Sequence, residues 1–328
     1  MMQVAVVGPG RIGRGIAQAF LWAGHHVAIV DLKPRDPADA ARVLDEARAE
    51  IGRGLDLLVS VGRIDAAQAA AMLARLTMHA AGDAAAGLGG AGIVIEGVPE
   101  IMAVKEAALG EASRLAPDAI IASATSTIMV DDLARFVERP ERFLNAHFLN
   151  PAWLIPLVEV SAGAATSAGV LETLEAVLVA IGKVPVRCAP SPGFIVPRVQ
   201  MLAGGEAIRL VEEGVASPED VDKALRVGFA LRFTVLGFLE FSDWGGLDIA
   251  RYAGDYLAER LGGEHYRAPP MIDRLIDEGA KGMHSGRGFF DYRGRDLAEY
   301  QRGVTARLLD LIDHVGLFPP PFPETANR

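Results

Sequence analysis

The chain has 328 residues, of which 51% are hydrophobic and 23% are charged, and its formal net charge at pH 7 is −10. This length predicts two domains, because single hydrophobic cores stop growing at a few hundred residues. The acidic charge excludes nucleic acid and anionic membranes as partners, since such polyanions normally meet a basic face. The single cysteine, Cys188, cannot form an intramolecular disulfide, and the sequence shows no signal peptide and no long charge-free apolar run. We therefore expect a cytoplasmic protein.

The first half of the chain alternates between strand-like and helix-like segments. Residues 3–8 (QVAVVG) are typical of a buried parallel strand, and residues 14–24 have helical spacing. A second strand is predicted at residues 26–30, followed by an alanine-rich helical stretch over residues 37–76 that breaks near residues 60–65. Further strands are predicted at residues 93–96, 119–122, 143–147, 158–161 and 184–187. The alternation predicts an α/β fold: a Rossmann-type doubly wound parallel sheet with a helical hairpin insertion after its second strand.

The pattern changes where Pro190, Pro192 and Gly193 interrupt the chain. We place a domain boundary there, between an N-terminal domain of residues 1–188 and a mostly α-helical C-terminal domain of residues 189–328. Helices are predicted at residues 199–213, which should be buried, and at residues 217–227, 248–261, 270–278 and 297–314. The final FPPPFPE segment predicts an extended arm or disorder.

A glycine-rich turn, GPGRIGRG, stands between the first strand and the first helix. Gly8, Gly10 and Gly13 permit a tight turn, close approach of a pyrophosphate and tight strand–helix packing. Arg11 and Ile12 lie between these glycines, where the free N–H groups of the helix start can bind phosphate. The turn predicts a dinucleotide site, although such letters alone also arise as a chance glycine turn.

Asp31 ends the second strand, where a carboxylate can accept hydrogen bonds from both hydroxyls of the adenosine ribose. Because a carboxylate repels a 2′-phosphate, this residue favours NAD over NADP as the cofactor. Lys33 and Arg35 follow closely and leave NADP use open, and the simpler alternative is that Asp31 only caps a helix or turn.

His147 and Glu159 stand twelve residues apart at the ends of two successive predicted strands. A neutral imidazole is a suitable proton acceptor near neutral pH, and a neighbouring carboxylate fixes its tautomer and favours its charged form. The carboxyl ends of parallel strands form the crevice where ligands bind. A lone histidine beside a strand is nevertheless more often a structural residue, so the spacing alone leaves both interpretations open.

Several segments together resemble the 3-hydroxyacyl-CoA dehydrogenase family: ASATS, HFLNP, LVEV, PGFIV and SGRGFFDY. The resemblance extends over residues 3–292. It implies that His147 is the base that removes the hydroxyl proton, that Glu159 orients it, and that Ser126 binds the substrate oxygen. Asn150 would hold the surroundings of His147 in place.

The same resemblance places Glu100 and Lys105, in VPEIMAVK, on the nicotinamide side of the cofactor. The alternative is a solvated helix start, which exposed Glu and Lys residues commonly form. The family also implies a homodimer joined through residues 190–290. We predict no metal site.

Two features depart from the family. Pro197 stands in GFIVPR where the family usually has an asparagine that binds the substrate carbonyl, and proline offers neither a side-chain donor nor a backbone N–H. The insertion that meets CoA reads RGLDLLVSVGR, without a lysine between Arg53 and Arg63. Both features argue against a CoA thioester as the substrate. The segments GFALRFTVLGFLE and RLVEEGVASPEDVD resemble instead the L-gulonate 3-dehydrogenase, lambda-crystallin and carnitine dehydrogenase branch, which acts on small polar hydroxy acids.

Arg232 lies in an otherwise apolar helical segment and could bind a free carboxylate through its planar guanidinium. A place on the helix surface or in a subunit interface is the alternative. Asp243 and Trp244 could line the same pocket, but a structural role is favoured for both.

Three hypotheses follow. The main one is an NAD-dependent oxidoreductase that converts the 3-hydroxyl of a small hydroxy acid to a 3-keto group by reversible hydride transfer. The alternative substrate is an L-3-hydroxyacyl-CoA such as 3-hydroxybutyryl-CoA. The third is a non-catalytic NAD-binding structural or sensing protein, against which the intact set of Ser126, His147 and Glu159 argues.

Overall fold

The described part of the chain contains one sheet of eight strands. The computed structural model describes residues 2–317, and the FPPPFPE segment lies outside this range. The strand order is β3-β2-β1-β4-β5-β6-β7-β8. The strands are Gln3–Val7 (β1), His26–Asp31 (β2), Leu76–Ala80 (β3), Ile93–Glu96 (β4), Ile120–Ser123 (β5), Phe143–Phe148 (β6), Leu157–Ala162 (β7) and Val184–Arg187 (β8). The Rossmann-type doubly wound sheet predicted from the sequence is confirmed.

Neighbouring strands are parallel except for β6 and β7, which pair antiparallel. A wholly parallel sheet was therefore the wrong expectation at this one pair. The reason is the connection: β6 ends at Phe148 and β7 begins at Leu157 with no helix between them, and a parallel crossover needs a longer link. The carboxyl ends of β1 to β6 all lie at one edge of the sheet.

Two helices form the insertion that follows β2. The seven helices that precede β8 are Arg11–Trp22 (α1), Pro37–Ser60 (α2), Ala66–Leu73 (α3), Ala84–Leu88 (α4), Met102–Leu115 (α5), Val130–Ala134 (α6) and Ala168–Ala180 (α7). The side chains of Asp36 and Asp65 cap α2 and α3, so the predicted hairpin and its break are confirmed. Its predicted end at residue 76 is wrong, because Leu76 begins β3. That strand is short and only its first residue is buried, which gives it little period-two signal.

Helices cover both faces of the sheet. Val4 and Val6 of β1 belong to one apolar cluster, together with Phe20 of α1, whereas Ala5 and Val7 belong to a second cluster with Leu109 of α5. Successive residues of a strand point to opposite faces, so a strand covered on both sides reads as a continuous apolar run. This double burial explains the QVAVV sequence.

The chain divides into two compact units, Met1–Gly204 and Gly205–Arg328. The second unit is helical, as predicted. Its helices, beginning with the one that contains the division, are Val196–Glu212 (α8), Pro218–Ala224 (α9), Leu231–Val235 (α10), Phe238–Gly245 (α11), Leu247–Leu261 (α12), Pro270–Asp277 (α13) and Leu297–His314 (α14). The domain boundary near residue 189 stays a prediction.

Helix α8 is not buried, contrary to expectation. None of its residues is buried, and Met201, Leu202 and Ile208 are 75%, 64% and 63% exposed. Apolar periodicity shows that a helix has an apolar face but not what covers that face within one chain. Among the helices of residues 2–317, none is long and apolar enough to cross a membrane.

Candidate active site

The glycine turn has the geometry that its sequence predicts. Gly8 has φ of +105°, a conformation that side-chain-bearing residues rarely adopt, and its N–H donates to the carbonyl of Val30 at 2.9 Å. A Cβ on Gly13 would lie 2.0 Å from the carbonyl oxygen of Gly8. At Gly10, which precedes α1, a Cβ would meet no atom within 4 Å. The turn is closed by packing at Gly13 and open at Gly10, where a phosphate can approach the start of α1.

Arg11 and Ile12 form the first turn of α1. The Arg11 side chain is exposed, and Ile12 is half-buried against Gly97, where a Cβ would lie 2.8 Å from its Cγ2 atom. Backbone N–H groups in the first turn of a helix have no partner within the helix. These two residues therefore offer backbone donors to a bound pyrophosphate.

Asp31 lines a cleft of about 680 Å³ together with Gly8, Gly10 and Gly97. Its side chain is almost buried, accepts the N–H of Lys33 at 3.2 Å, and pairs with the Arg35 guanidinium at 2.6 Å. The cleft joins a ribose-binding carboxylate to an open helix start, which is the arrangement that a dinucleotide requires. The residues present thus fit NAD. Arg35 makes an ion pair with the carboxylate itself, which the sequence analysis did not anticipate.

Lys105 is only 1% exposed, so it does not belong to a solvated helix start. Its Nζ lies 3.0 and 3.1 Å from the two carboxylate oxygens of Glu96, which is fully buried at the end of β4. A third contact, of 3.3 Å, joins Nζ to the half-exposed Glu100. One ammonium group therefore links two carboxylates.

Glu100 in turn holds the segment that follows β5. Its Oε1 accepts the Ser126 N–H at 2.6 Å, the Ser126 hydroxyl at 3.1 Å and the Thr125 hydroxyl at 2.8 Å. Burial opposes ionisation of Glu100, but the hydrogen bond from the Ser126 N–H and the charge of Lys105 outweigh it and hold the pKa of Glu100 below its usual range. Ser126 is thereby positioned by a charged group, and the structure brings Glu100, Lys105 and Ser126 into one network.

His147 and Glu159 lie directly opposite each other on β6 and β7. His147 Nδ1 is 2.7 Å from Glu159 Oε2, and both side chains are buried. A carboxylate at this atom fixes the tautomer with the proton on Nδ1, which leaves Nε2 as a proton acceptor. Within residues 2–317, Nε2 makes no hydrogen bond, so this atom is free to act on a substrate.

The other oxygen of Glu159 binds the start of α8. Oε1 accepts the N–H groups of Ile195 and Val196 at 2.9 and 2.7 Å. Phe194, which precedes them, has φ of +43° and stacks on the His147 ring with centroids 5.6 Å apart. The PGFIV segment therefore packs directly on the proposed base.

Cys188 is not a nucleophile candidate. Burial and then the negative charge of Glu159 raise the pKa of its thiol, which disfavours the reactive thiolate. No three His, Cys, Asp or Glu side chains gather within the described residues in a way that could hold a metal ion.

Asn150 is exposed, and its side chain makes no hydrogen bond within residues 2–317. Its predicted role in holding the surroundings of His147 gains no support from these contacts. Asn150 instead lines a second cleft, of about 470 Å³, with Arg11, Arg14 and Arg53. Arg14 is paired with Glu50 at 2.9 Å, whereas Arg11 and Arg53 make no ion pair within the described range. This cleft is basic. The absence of lysine between Arg53 and Arg63 had suggested otherwise.

Arg232 belongs to the second unit. Its Nε donates to the Gly228 carbonyl at 2.6 Å, and its guanidinium lies over the Phe241 ring, 4.9 Å from the centroid. Binding of a substrate carboxylate by Arg232 stays a prediction. Asp243, in contrast, is fully buried and accepts the N–H groups of Phe289 and Phe290, each at 2.9 Å. These contacts give Asp243 the structural role that was favoured from the sequence.

Sequence reasoning missed two residues of this site. Glu96 stands in an otherwise apolar strand, IVIE, and a carboxylate at such a place is rarely buried without a partner. That signal was available and could have identified it. Phe194 reads as an ordinary core residue, and only its positive φ and its contact with His147 distinguish it.

Comparison with protein-family models gives two matches that together span most of the chain. A model described as "3-hydroxyacyl-CoA dehydrogenase, NAD binding domain" matches residues 3–191. A second, described as "3-hydroxyacyl-CoA dehydrogenase, C-terminal domain", matches residues 193–292.

Individual proteins are similar over nearly their whole length. A 3-hydroxybutyryl-CoA dehydrogenase of Mycobacterium tuberculosis is 35% identical over 295 residues, which are 89% of this chain and 99% of the relative. The solved structure of a 3-hydroxyacyl-CoA dehydrogenase of Archaeoglobus fulgidus has a TM-score of 0.75 and 31% identity, and covers 97% of this chain and 100% of its own. An NAD+-dependent 5-formyl-3-hydroxy-2-methylpyridine 4-carboxylic acid 5-dehydrogenase has a TM-score of 0.65 and 27% identity, with 96% and 99% covered.

Proposed function

On the premise that the chain belongs to the 3-hydroxyacyl-CoA dehydrogenase family, and is thus an NAD-dependent oxidoreductase acting on CH–OH groups, we propose that it oxidises short L-3-hydroxyacyl-CoA thioesters. The His147–Glu159 pair carries the proposal, because it supplies a buried base with a free Nε2 atom. Several relatives that match over nearly their whole length are named 3-hydroxybutyryl-CoA dehydrogenases.

The proposed chemistry is removal of a proton by this pair. His147 Nε2 accepts the proton of the substrate hydroxyl, and the imidazolium that forms is stabilised by Glu159 at 2.7 Å. When bound, NAD would accept the hydride that leaves the carbon bearing this hydroxyl group. Ser126 positions the substrate oxygen. Glu100 holds Ser126 in place by accepting hydrogen bonds from the N–H and the hydroxyl of Ser126.

The cofactor-binding residues are assigned from the first cleft and the sheet edge. Asp31 accepts hydrogen bonds from the hydroxyls of the adenosine ribose. The turn of Gly8, Gly10 and Gly13 binds the pyrophosphate at the start of α1. Glu100 and Lys105 then lie toward the nicotinamide half.

The basic cleft supports a CoA thioester. Arg11 and Arg53 make no ion pair within residues 2–317, and both line the 470 Å³ cleft that contains Asn150. Guanidinium groups bind phosphate through paired N–H donors, so they can meet the phosphates of CoA where lysines are missing. This observation favours the thioester over the free acid as the substrate.

A free hydroxy acid is the second candidate. Pro197 offers no donor to a thioester carbonyl, and a relative of the same fold is named for a pyridine carboxylic acid substrate. Arg232 would bind the free carboxylate in this case.

A matched substrate panel separates the two candidates. We expect NADH formation from 3-hydroxybutyryl-CoA with a kcat/KM at least about a hundredfold above that of free 3-hydroxybutyrate, because binding of the distant nucleotide contributes to catalysis. Equal or better use of the free acid would contradict the thioester proposal and support the second candidate.

A variant of the basic cleft sharpens this test. Arg53→Gln should raise KM for the CoA thioester about fivefold, the effect of an exposed ion pair of about 1 kcal/mol, without changing KM for the N-acetylcysteamine thioester. Arg302→Gln, at an exposed arginine of α14, is the matched control. If Arg53→Gln affects both thioesters equally, the cleft does not bind the nucleotide.

We also propose a homodimer that uses the second unit. Ile249, Tyr252 and Tyr256 of α12 are spaced along one helical face and are 63%, 63% and 58% exposed. Apolar faces of this kind are typical of subunit interfaces. Light scattering should give twice the chain mass, and a monomer mass would refute the dimer.

A further inference from the structure

The Glu96–Lys105–Glu100 triad contains two carboxylates and one ammonium group. Glu96 and Lys105 are almost fully buried, and Lys105 Nζ lies within 3.3 Å of both carboxylates. When all three groups are ionised, one negative charge remains without a partner inside the triad. This excess charge is only partly buried, because Glu100 is half-exposed, and a cation that approaches Glu100 can stabilise it.

Hydrogen-bond donors surround both carboxylates. Glu96 accepts the Val98 N–H at 2.7 Å and the Ser123 hydroxyl at 2.6 Å, in addition to its contacts with Lys105. Glu100 accepts from Thr125 and Ser126. Each partner has a hydrogen to donate to a carboxylate oxygen, and such charge-assisted hydrogen bonds are stronger than neutral ones.

In the proposed cofactor site, the triad lies toward the nicotinamide half of the dinucleotide. Asp31 ends β2 and the glycine turn follows β1, so the dinucleotide runs from β2 across β1. Its second half must continue toward β4 and β5. Glu96 ends β4, Glu100 follows it, and Ser126 follows β5.

We propose that the excess negative charge of this triad biases the site toward oxidised NAD, whose nicotinamide ring is a cation, and against NADH, whose ring is neutral. Glu96 is then a specificity-determining residue, although it lies beneath the site, because without its charge the triad is neutral. The inference rests on the proposed cofactor site but not on the identity of the substrate. The cationic ring would offset the excess negative charge of the triad.

The direct test compares two dissociation constants in the same variant. Glu96→Gln preserves size and removes one charge, and we expect the ratio of the NAD Kd to the NADH Kd to rise about tenfold, as for charges about 12 Å apart near a protein surface. Calorimetry measures the NAD Kd and the fluorescence of the reduced ring measures the NADH Kd. No turnover is needed, so failure to oxidise thioesters would leave this test intact.

Glu100→Gln provides an independent second variant. Its side chain is 38% exposed, so the substitution disturbs the core less than a change at Glu96, and it removes the same charge. The ratio should shift in the same direction. If Glu96→Gln does not fold, Glu100→Gln alone decides the question.

Asp31→Asn is the matched control. It removes a carboxylate at the adenosine end, which NAD and NADH share, so both dissociation constants should rise by the same factor. The proposal is overturned if Glu96→Gln or Glu100→Gln, once folded, also weakens both forms equally or favours NAD, since a purely structural role predicts an unchanged ratio.

Discussion

Glu159 faces His147 across the antiparallel pair β6–β7, and each oxygen of its carboxylate has a different task. Oε2 lies 2.7 Å from the imidazole Nδ1, and Oε1 accepts the N–H groups of Ile195 and Val196 at the start of α8. The same side chain therefore fixes the base and the segment PGFIV that packs on it. A shift of that segment must change the position of the imidazole.

Glu159→Gln tests this double task. Glu159 accepts hydrogen bonds on both of its oxygens, whereas an amide has one accepting oxygen and one donating NH2 group. In the variant, the NH2 group must therefore face either the His147 Nδ1–H or the N–H groups at the start of α8. We expect kcat to fall about 10- to 100-fold, as for residues that orient a functional imidazole. Nitrogen NMR of the ring should show loss of the Nδ1–H tautomer.

His147→Ala is the companion of that variant. It should lower kcat about 10²- to 10⁴-fold, the usual contribution of a general base, while NAD still binds. An unchanged tautomer together with full activity in Glu159→Gln would show that the carboxylate serves the fold alone.

Pro197→Asn addresses the departure from the family. Pro197 lies in the first turn of α8, where a missing N–H is tolerated, so the asparagine should not disturb the helix. If the substrate is a thioester, the new donor should raise kcat/KM for 3-hydroxybutyryl-CoA about fivefold, the value of one hydrogen bond of about 1 kcal/mol. Steady-state kinetics with Pro197→Ala as control separates the gain of the amide from the loss of the ring.

The sequence was sufficient for those parts of the site that depend on strand ends. Asp31 and the glycine turn follow buried parallel strands, so their positions could be inferred from pattern alone. Pairing of His147 with Glu159 was also inferred, but their direct opposition depends on the antiparallel register of β6 and β7, which a parallel sheet would not give. The ion pair between Arg35 and Asp31 depends on side-chain conformation, and no periodicity reports it.

Exposure was harder to infer than secondary structure. The apolar spacing of α8 predicted a helix correctly and its burial wrongly, because what covers a helix is a tertiary or quaternary property. The basic cleft was missed for a related reason: Arg11 and Arg53 are distant in sequence, and only the packing of α1 against α2 brings them to one surface.

The hydrogen bonds of Glu100 predict an acid-dependent contribution to stability. Its pKa in the folded protein lies below its usual range, so its contribution is present above the unfolded value of about 4.3 and is lost as pH falls through the folded value. Glu100→Gln resembles the protonated form at every pH. Urea unfolding should therefore show the parent protein more stable than Glu100→Gln at pH 7, with the difference shrinking below about pH 4.

Glu106→Gln is the control for that series. Glu106 is exposed on α5 and makes no ion pair within residues 2–317. A difference between parent and Glu100→Gln that grows as the pH falls would contradict the assigned direction.

Asp243→Ala should destabilise the second unit. The carboxylate is fully buried and accepts the N–H groups of Phe289 and Phe290 at 2.9 Å and the Tyr292 hydroxyl at 3.1 Å. A Cβ on Gly288 would lie 2.0 Å from Asp243 Oδ1, so the chain closes tightly around this side chain. The alanine leaves three donors unpaired, and we expect a loss of roughly 3 kcal/mol in the free energy of unfolding. Chemical denaturation followed by far-UV circular dichroism measures this loss.

Asp222→Ala is the control, at an exposed site in α9, and should change the free energy of unfolding by less than about 0.5 kcal/mol. Equal effects of the two variants would show that Asp243 does not hold the SGRGFFDY segment.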